Sequence, residues 1–122
     1  MRGQDGTSRS MLVAERGRTV DLIESLAARL AAVLEATADE AADDEHDPEG
    51  STLAVERGHL LAQLERSRVR LAEIDEALER VGHGSYGLCE TCGQQIDSER
   101  LEVLPAARQC VRCAIRSPSR RW

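Results

Sequence analysis

Two Cys-x-x-Cys pairs, Cys89 and Cys92 in CETCG and Cys110 and Cys113 in CVRC, stand with seventeen residues between them. Each pair can present two thiolates from one tight turn. Two such knuckles at this separation match a tetrahedral four-cysteine zinc site. Four thiolates close the coordination sphere around one ion, so the zinc expected here is structural and leaves no position open for a reacting water. Gly93, directly after the first pair, relieves backbone crowding at the knuckle. The surrounding segment offers Ile96, Leu101, Val103, Leu104, Val111 and Ile115 as its main apolar content. That is too little for a module of about 35 residues to fold on burial alone, and metal binding would supply the missing stability. A disulfide framework or a thioredoxin-like redox motif is the competing reading of the cysteines. It lacks both an export signal and a βαβ context.

Upstream of the cysteines the pattern is helical. Leu12, Thr19, Ile23, Leu26, Leu30, Val33 and Thr37 recur at threes and fours with a skip near Arg16. Leu53, Leu60, Leu64, Ser67, Leu71, Ile74, Leu78 and Val81 form a second seam of the same kind with a skip near Arg57. Its flanks carry Glu65, Arg66, Arg68, Arg70, Glu73, Glu76, Glu79 and Arg80, the pattern of a solvated helix surface. Two helices of about 30 residues joined by a Pro/Gly turn fold back most simply as an antiparallel coiled-coil hairpin, each arm about 45 Å long at 1.5 Å per residue. At the turn, Pro48 ends the first helix, Gly50 tolerates positive φ, and Ser51 or Thr52 caps the second. The second helix breaks at GHGSYG, residues 82–87.

These readings give a mainly α fold: a disordered N-terminus over 1–9, a coiled-coil hairpin over 10–81 with an acidic tip at 43–50, a four-cysteine zinc-finger module with a C-terminal helix over 82–116, and a basic tail over 117–122. Composition agrees. The 122-residue chain has no Phe, one Tyr and one Trp, which excludes a large core built on aromatic side chains. No apolar run approaches the roughly 20 residues of a membrane helix, and no signal peptide is visible at the N-terminus, so a soluble, cytoplasmic protein is expected.

The net charge of -6 is unevenly spread. Eight acids and no Arg or Lys lie between Glu35 and Glu49, whereas Arg100 to Trp122 holds six Arg against one Glu. Such polarity points to a partner with complementary charge. Acids near the start of the second helix also suit its dipole, which accounts for part of the cluster without any function. Arg108, Arg112 and Arg116 recur every four residues and could form one face of a C-terminal helix, to contact a partner or simply to be solvated. His46, His59 and His83 have no nucleophile or paired base near them in sequence, and no phosphate-binding loop or other catalytic signature appears, so no enzyme is expected.

The run GSYGLCETCGQQIDSERLEVLPAARQCVRCA, residues 84–114, following a helical hairpin, resembles the DksA/TraR family of bacterial transcription regulators. The resemblance extends over about residues 39–116, and the first helix matches in character only. It implies a regulator that binds RNA polymerase and inserts its coiled coil through the secondary channel, with acids at the tip approaching the active centre. The family's tip pattern is Asp-x-x-Asp-x-Ala. Asp44 and Asp47 reproduce its two Asp, with Glu49 in the place of Ala; aligning the Asp-Pro step instead puts Asp47 at the first Asp and Gly50 at the second. Nothing in the sequence supports a small nucleotide effector. Sequence-specific DNA binding is not expected either, because an acidic hairpin is repelled by phosphates. Two other classes fit parts of the chain: a nucleic-acid-binding zinc protein using the Arg-rich end, and a coiled-coil adaptor.

Overall fold

The computed structural model describes residues 2–41 and 48–116, with side chains described over 6–38 and 52–116. The order is α1 (Arg2–Ala41), α2 (Pro48–His83), α3 (Ser98–Val103) and α4 (Val111–Arg116). Outside the helices one isolated antiparallel bridge pairs Leu88 with Gln95. The fold is therefore the mainly α arrangement expected from the two seams: a long helical hairpin, then a small module holding the cysteines and a C-terminal helix. Among the described residues, no helix is long and apolar enough to cross a membrane.

The chain divides into two compact units, Arg18–Leu71 and the combination of Met1–Gly17 with Ala72–Trp122. In the first, Leu26 and Val33 of α1 bury against Leu60 and Leu64 of α2, with Ile23, Leu30 and Leu53 packed around them. An exposed ion pair, Arg29 to Glu56 at 3.6 Å, lies on the flank. Every seam residue here is buried or half-buried, and the polar entries Thr19 and Ser67 are buried too.

In the second unit, Leu12 of α1 packs with Ile74, Ala77 and Val81 of α2 and with Ala106 from the loop between α3 and α4; Leu78 and Tyr86 flank the cluster. The Arg16 Nε donates to Asp75 at 2.7 Å, and that hydrogen bond, with the charge behind it, raises the Arg16 pKa. A smaller core joins Cys89, Ile96 and Cys113 to Leu101 and Cys110.

Four expectations change. Helix α1 starts at Arg2, where a disordered segment was expected over 1–9. Leu12 is 0 % exposed and packs with Ile74, Ala77, Val81 and Ala106, so tertiary contacts outweigh the poor helix propensity of the glycines there. Helix α2 starts at Pro48 and not at a Ser51 or Thr52 cap, with Gly50 inside it. Proline suits the first helical position because its missing N–H would be unpaired there anyway. Glu73, read as a flank residue, is 6 % exposed, and Glu76 and Arg80 are half-buried. The module covers α2 on this side through an Arg80 Nη2 to Ala106 carbonyl contact at 3.5 Å and an Arg108 to Glu76 ion pair at 3.6 Å. Finally, Val103, Val111 and Ile115 are exposed, the first and last at 76 %, while Ala106 and Ala107 take the buried positions. Small side chains fit where the loop approaches α2 closely.

The end of α2 is fixed by backbone geometry. Ser85 N–H donates to the Arg80 carbonyl at 2.9 Å and Gly84 N–H to the Val81 carbonyl at 3.2 Å, with Gly84 at φ +77°. That is the Schellman pairing, which needs a left-handed residue after the helix. A Cβ at Gly84 would meet nothing within 4 Å, so a substitution there is opposed by the backbone alone. Gly84→Ala lowers stability by about 1–2 kcal/mol. Gly82→Ala, in helical backbone with the same open space, leaves stability unchanged or raises it by up to about 1 kcal/mol. Urea titration of the pair checks this, and equal midpoints would mean that the glycine conformation does not set the helix end.

Candidate metal centre

The first knuckle is shaped by two left-handed glycines, Gly87 at φ +83° and Gly93 at φ +76°. Between them the chain doubles back: Ile96 N–H donates to the Gly87 carbonyl at 2.7 Å, Cys89 N–H to Gln94 at 2.8 Å, and Gly93 N–H to Cys89 at 2.9 Å. The second knuckle forms at the entry to α4, where Ala114 N–H donates to the Cys110 carbonyl at 2.9 Å and Cys113 N–H approaches the Cys110 Sγ at 3.5 Å.

These turns bring the Sγ atoms of Cys89, Cys92, Cys110 and Cys113 within 4.8 Å of one another. Cys92 and Cys110, one from each knuckle, are 3.8 Å apart. A tetrahedral zinc with sulfur at about 2.3 Å has ligand edges of about 3.8 Å, so the spacing fits the ion. All four are free thiols. Burial pushes the Cys89 thiol up, but the backbone donors of Cys110, Cys92 and Thr91 outweigh it and hold it at about 6. Cys113 moves the other way, pushed up to about 12 by burial and by its hydrogen bonds with Cys110, Cys92 and Cys89. One thiolate forms readily, and further negative charge is resisted. A bound divalent cation removes that resistance, and thiolate donors select a soft one such as zinc.

The Prokaryotic dksA/traR C4-type zinc finger matches residues 84–118. A solved structure of transcription factor DksA2 from Pseudomonas aeruginosa superimposes with a TM-score of 0.78, at 28% sequence identity, over 93% of this chain and 82% of that one. The chain thus carries the zinc finger of the DksA/TraR family over residues 84–118 and is similar in fold to DksA2. It is 40% identical over 68 residues to General stress protein 16O of Bacillus subtilis, covering 56% of this chain and 42% of that protein. It is 36% identical over 53 residues to the RNA polymerase-binding transcription factor DksA of Escherichia coli, covering 43% of this chain and 35% of that protein. The matched part thus spans less than half the length of each curated relative.

In this chain the expected basic face does not form as one face. Helix α4 begins at Val111, so Arg108 precedes it. Arg108 turns inward, its Nη1 3.6 Å from Glu76 and its Nε 3.8 Å from Glu90, with one fifth of the side chain exposed. Arg112 and Arg116 are exposed on α4. A spacing of four therefore joined one residue of irregular backbone to two of a helix. Neighbouring Arg80 has its pKa lowered by burial, an effect opposed by Glu90 and Glu76 and reinforced by Arg108. Of the tip residues, Asp44 and Asp47 lie outside the described residues, as does His46. Glu49 belongs to the first turn of α2, with its side chain outside them. His59 and His83 are exposed.

The sequence reading missed what ties the knuckles together. Glu90 N–H donates to the Arg108 carbonyl at 2.9 Å, the Gln109 amide donates to the Thr91 hydroxyl at 3.0 Å, and Arg100 Nε donates to the Gln109 carbonyl at 3.0 Å. Tyr86 donates to the Pro105 carbonyl at 2.8 Å from the α2 side. No local periodicity encodes such contacts.

Proposed function

We propose that the protein is a non-enzymatic transcription regulator that binds RNA polymerase, with Cys89, Cys92, Cys110 and Cys113 holding one structural zinc. The reading is carried by the joining of a DksA/TraR zinc finger to a long helical hairpin in the arrangement of DksA2, together with relatives named as RNA polymerase-binding factors. The zinc contributes no reaction step. Its role is to fold the module that packs on the end of α2.

In this reading the acidic connection between α1 and α2 enters the polymerase secondary channel, with Asp44, Asp47 and Glu49 facing the active centre. Carboxylates close to a catalytic Mg²⁺ or to basic channel residues shift conformational equilibria through short-range electrostatics. Arg112 and Arg116 on α4 supply a contact outside the channel, whereas Arg108 is committed to Glu76 and Glu90.

Purified polymerase core should retain the full chain in a pull-down, and duplex DNA at moderate salt should not shift it. Binding to DNA but not to core would replace this reading with the nucleic-acid one. Changing Asp44 and Asp47 together to Asn should keep core binding and abolish the effect on initiation in vitro. Unchanged initiation with binding intact would remove the two acids from the working role.

A further inference from the structure

Local geometry explains how each Cys-x-x-Cys pair holds its own two sulfurs, but the distance between the pairs has to be fixed across seventeen residues of intervening chain. Three hydrogen bonds converge on the two residues just before Cys110. The Arg108 carbonyl accepts from Glu90 N–H, inside the first knuckle. The buried Gln109 side chain donates to Thr91, between the two cysteines of that knuckle. The Gln109 carbonyl accepts from Arg100 Nε on α3. Main chain and side chain thus bind the second knuckle to the first at consecutive positions, and Arg100 on α3 holds the same segment through the Gln109 carbonyl.

We infer that Arg100, Gln109 and Thr91 form a latch that sets the separation of the two thiolate pairs, so that Arg100 is a positioning residue for the metal although it touches no sulfur. The inference rests on the four cysteines being the zinc site. Groups around a metal site usually act on the ligand side chains themselves. Here the hold is on the backbone that carries Cys110, and the 3.8 Å between Cys92 and Cys110 is the distance it maintains. A loosened latch lets the Cys110–Cys113 pair drift from the tetrahedral edge, and the metal then has to order the gap itself. Affinity falls and release quickens, with two thiolates per knuckle unchanged.

Zinc affinity of the full chain is measured by competition with a chromogenic chelator, with helicity followed by circular dichroism. The wild type takes up one zinc. Arg100→Ala binds about 10–100-fold more weakly while retaining the helical signal of α1 and α2. Arg100→Lys, which can still donate an N–H to the Gln109 carbonyl, recovers most of the loss. Thr91→Val, which cannot accept from Gln109, weakens binding, and Thr91→Ser does not. Wild-type affinity in Arg100→Ala would overturn the latch, as would equal losses in the Ala and Lys variants, because packing and not hydrogen bonding would then be at work. A wild type that takes up no zinc would overturn both the latch and the metal reading beneath it.

Discussion

Stripping zinc from the protein with a strong chelator at neutral pH should unfold residues 84–116 while the helical hairpin persists. The apolar content of the module is small: Ile96 is its one large aliphatic buried residue beside the cysteines, Ala106 and Ala107 bury only methyl groups, and Leu101 is only partly covered. Burying one such side chain is worth about 1.5–3 kcal/mol, whereas a structural zinc contributes about 10–16 kcal/mol of apparent binding energy. The metal term dominates by several-fold. The other unit has its own core in Leu26, Val33, Leu60 and Leu64, and nothing in that cluster depends on the cysteines. Amide exchange resolves the two. After chelation the Cys89, Glu90 and Ile96 amides, which donate to Gln94, Arg108 and Gly87, should lose protection, and those in the middle of α1 and α2 should keep it. Protected module amides in a protein shown to be metal-free would mean that the thiols do not hold the stabilising ion.

How much of this was legible in the chain depends on the range of the interaction. Heptad seams are local, and all of their entries are buried or half-buried where side chains are described. The knuckles are local too, and Gly93, read as relieving backbone crowding there, stands at φ +76°. What escaped reading was long-range. Glu73 looked like a surface residue because its neighbours on the helix are charged, yet it is buried, and farther along α2 Glu76 and Arg80 are met by Arg108 and Ala106 from the loop before α4. Arg108 matched a spacing of four, but the backbone before Val111 is irregular and directs it to Glu76 and Glu90. The run Pro-Ala-Ala at 105–107 was the available signal, since two small residues after a proline mark a loop that approaches another element closely.

The first turns of α1 make the same point in energetic form, and they yield the second large effect. Leu12 is the α1 member of a cluster otherwise built from Ile74, Ala77, Val81 and Ala106. Two of those four partners are alanines, so they have no side-chain length with which to fill a gap. Leu12→Ala should therefore leave most of its cavity open and cost about 3–5 kcal/mol, the upper part of the range for buried leucines. Its neighbour supplies the control: Val13 is 55 % exposed, and Val13→Ala should stay within about 0.5 kcal/mol of wild type. A typical domain has about 5–15 kcal/mol of stability in total, so the first change removes a large share of it and the second is barely measurable. Urea titration gives the difference, and amide exchange across residues 6–17 reports the local loss. If the two variants had the same midpoint, Leu12 would not be packed against α2. The helical start at Arg2 would then have no tertiary cause.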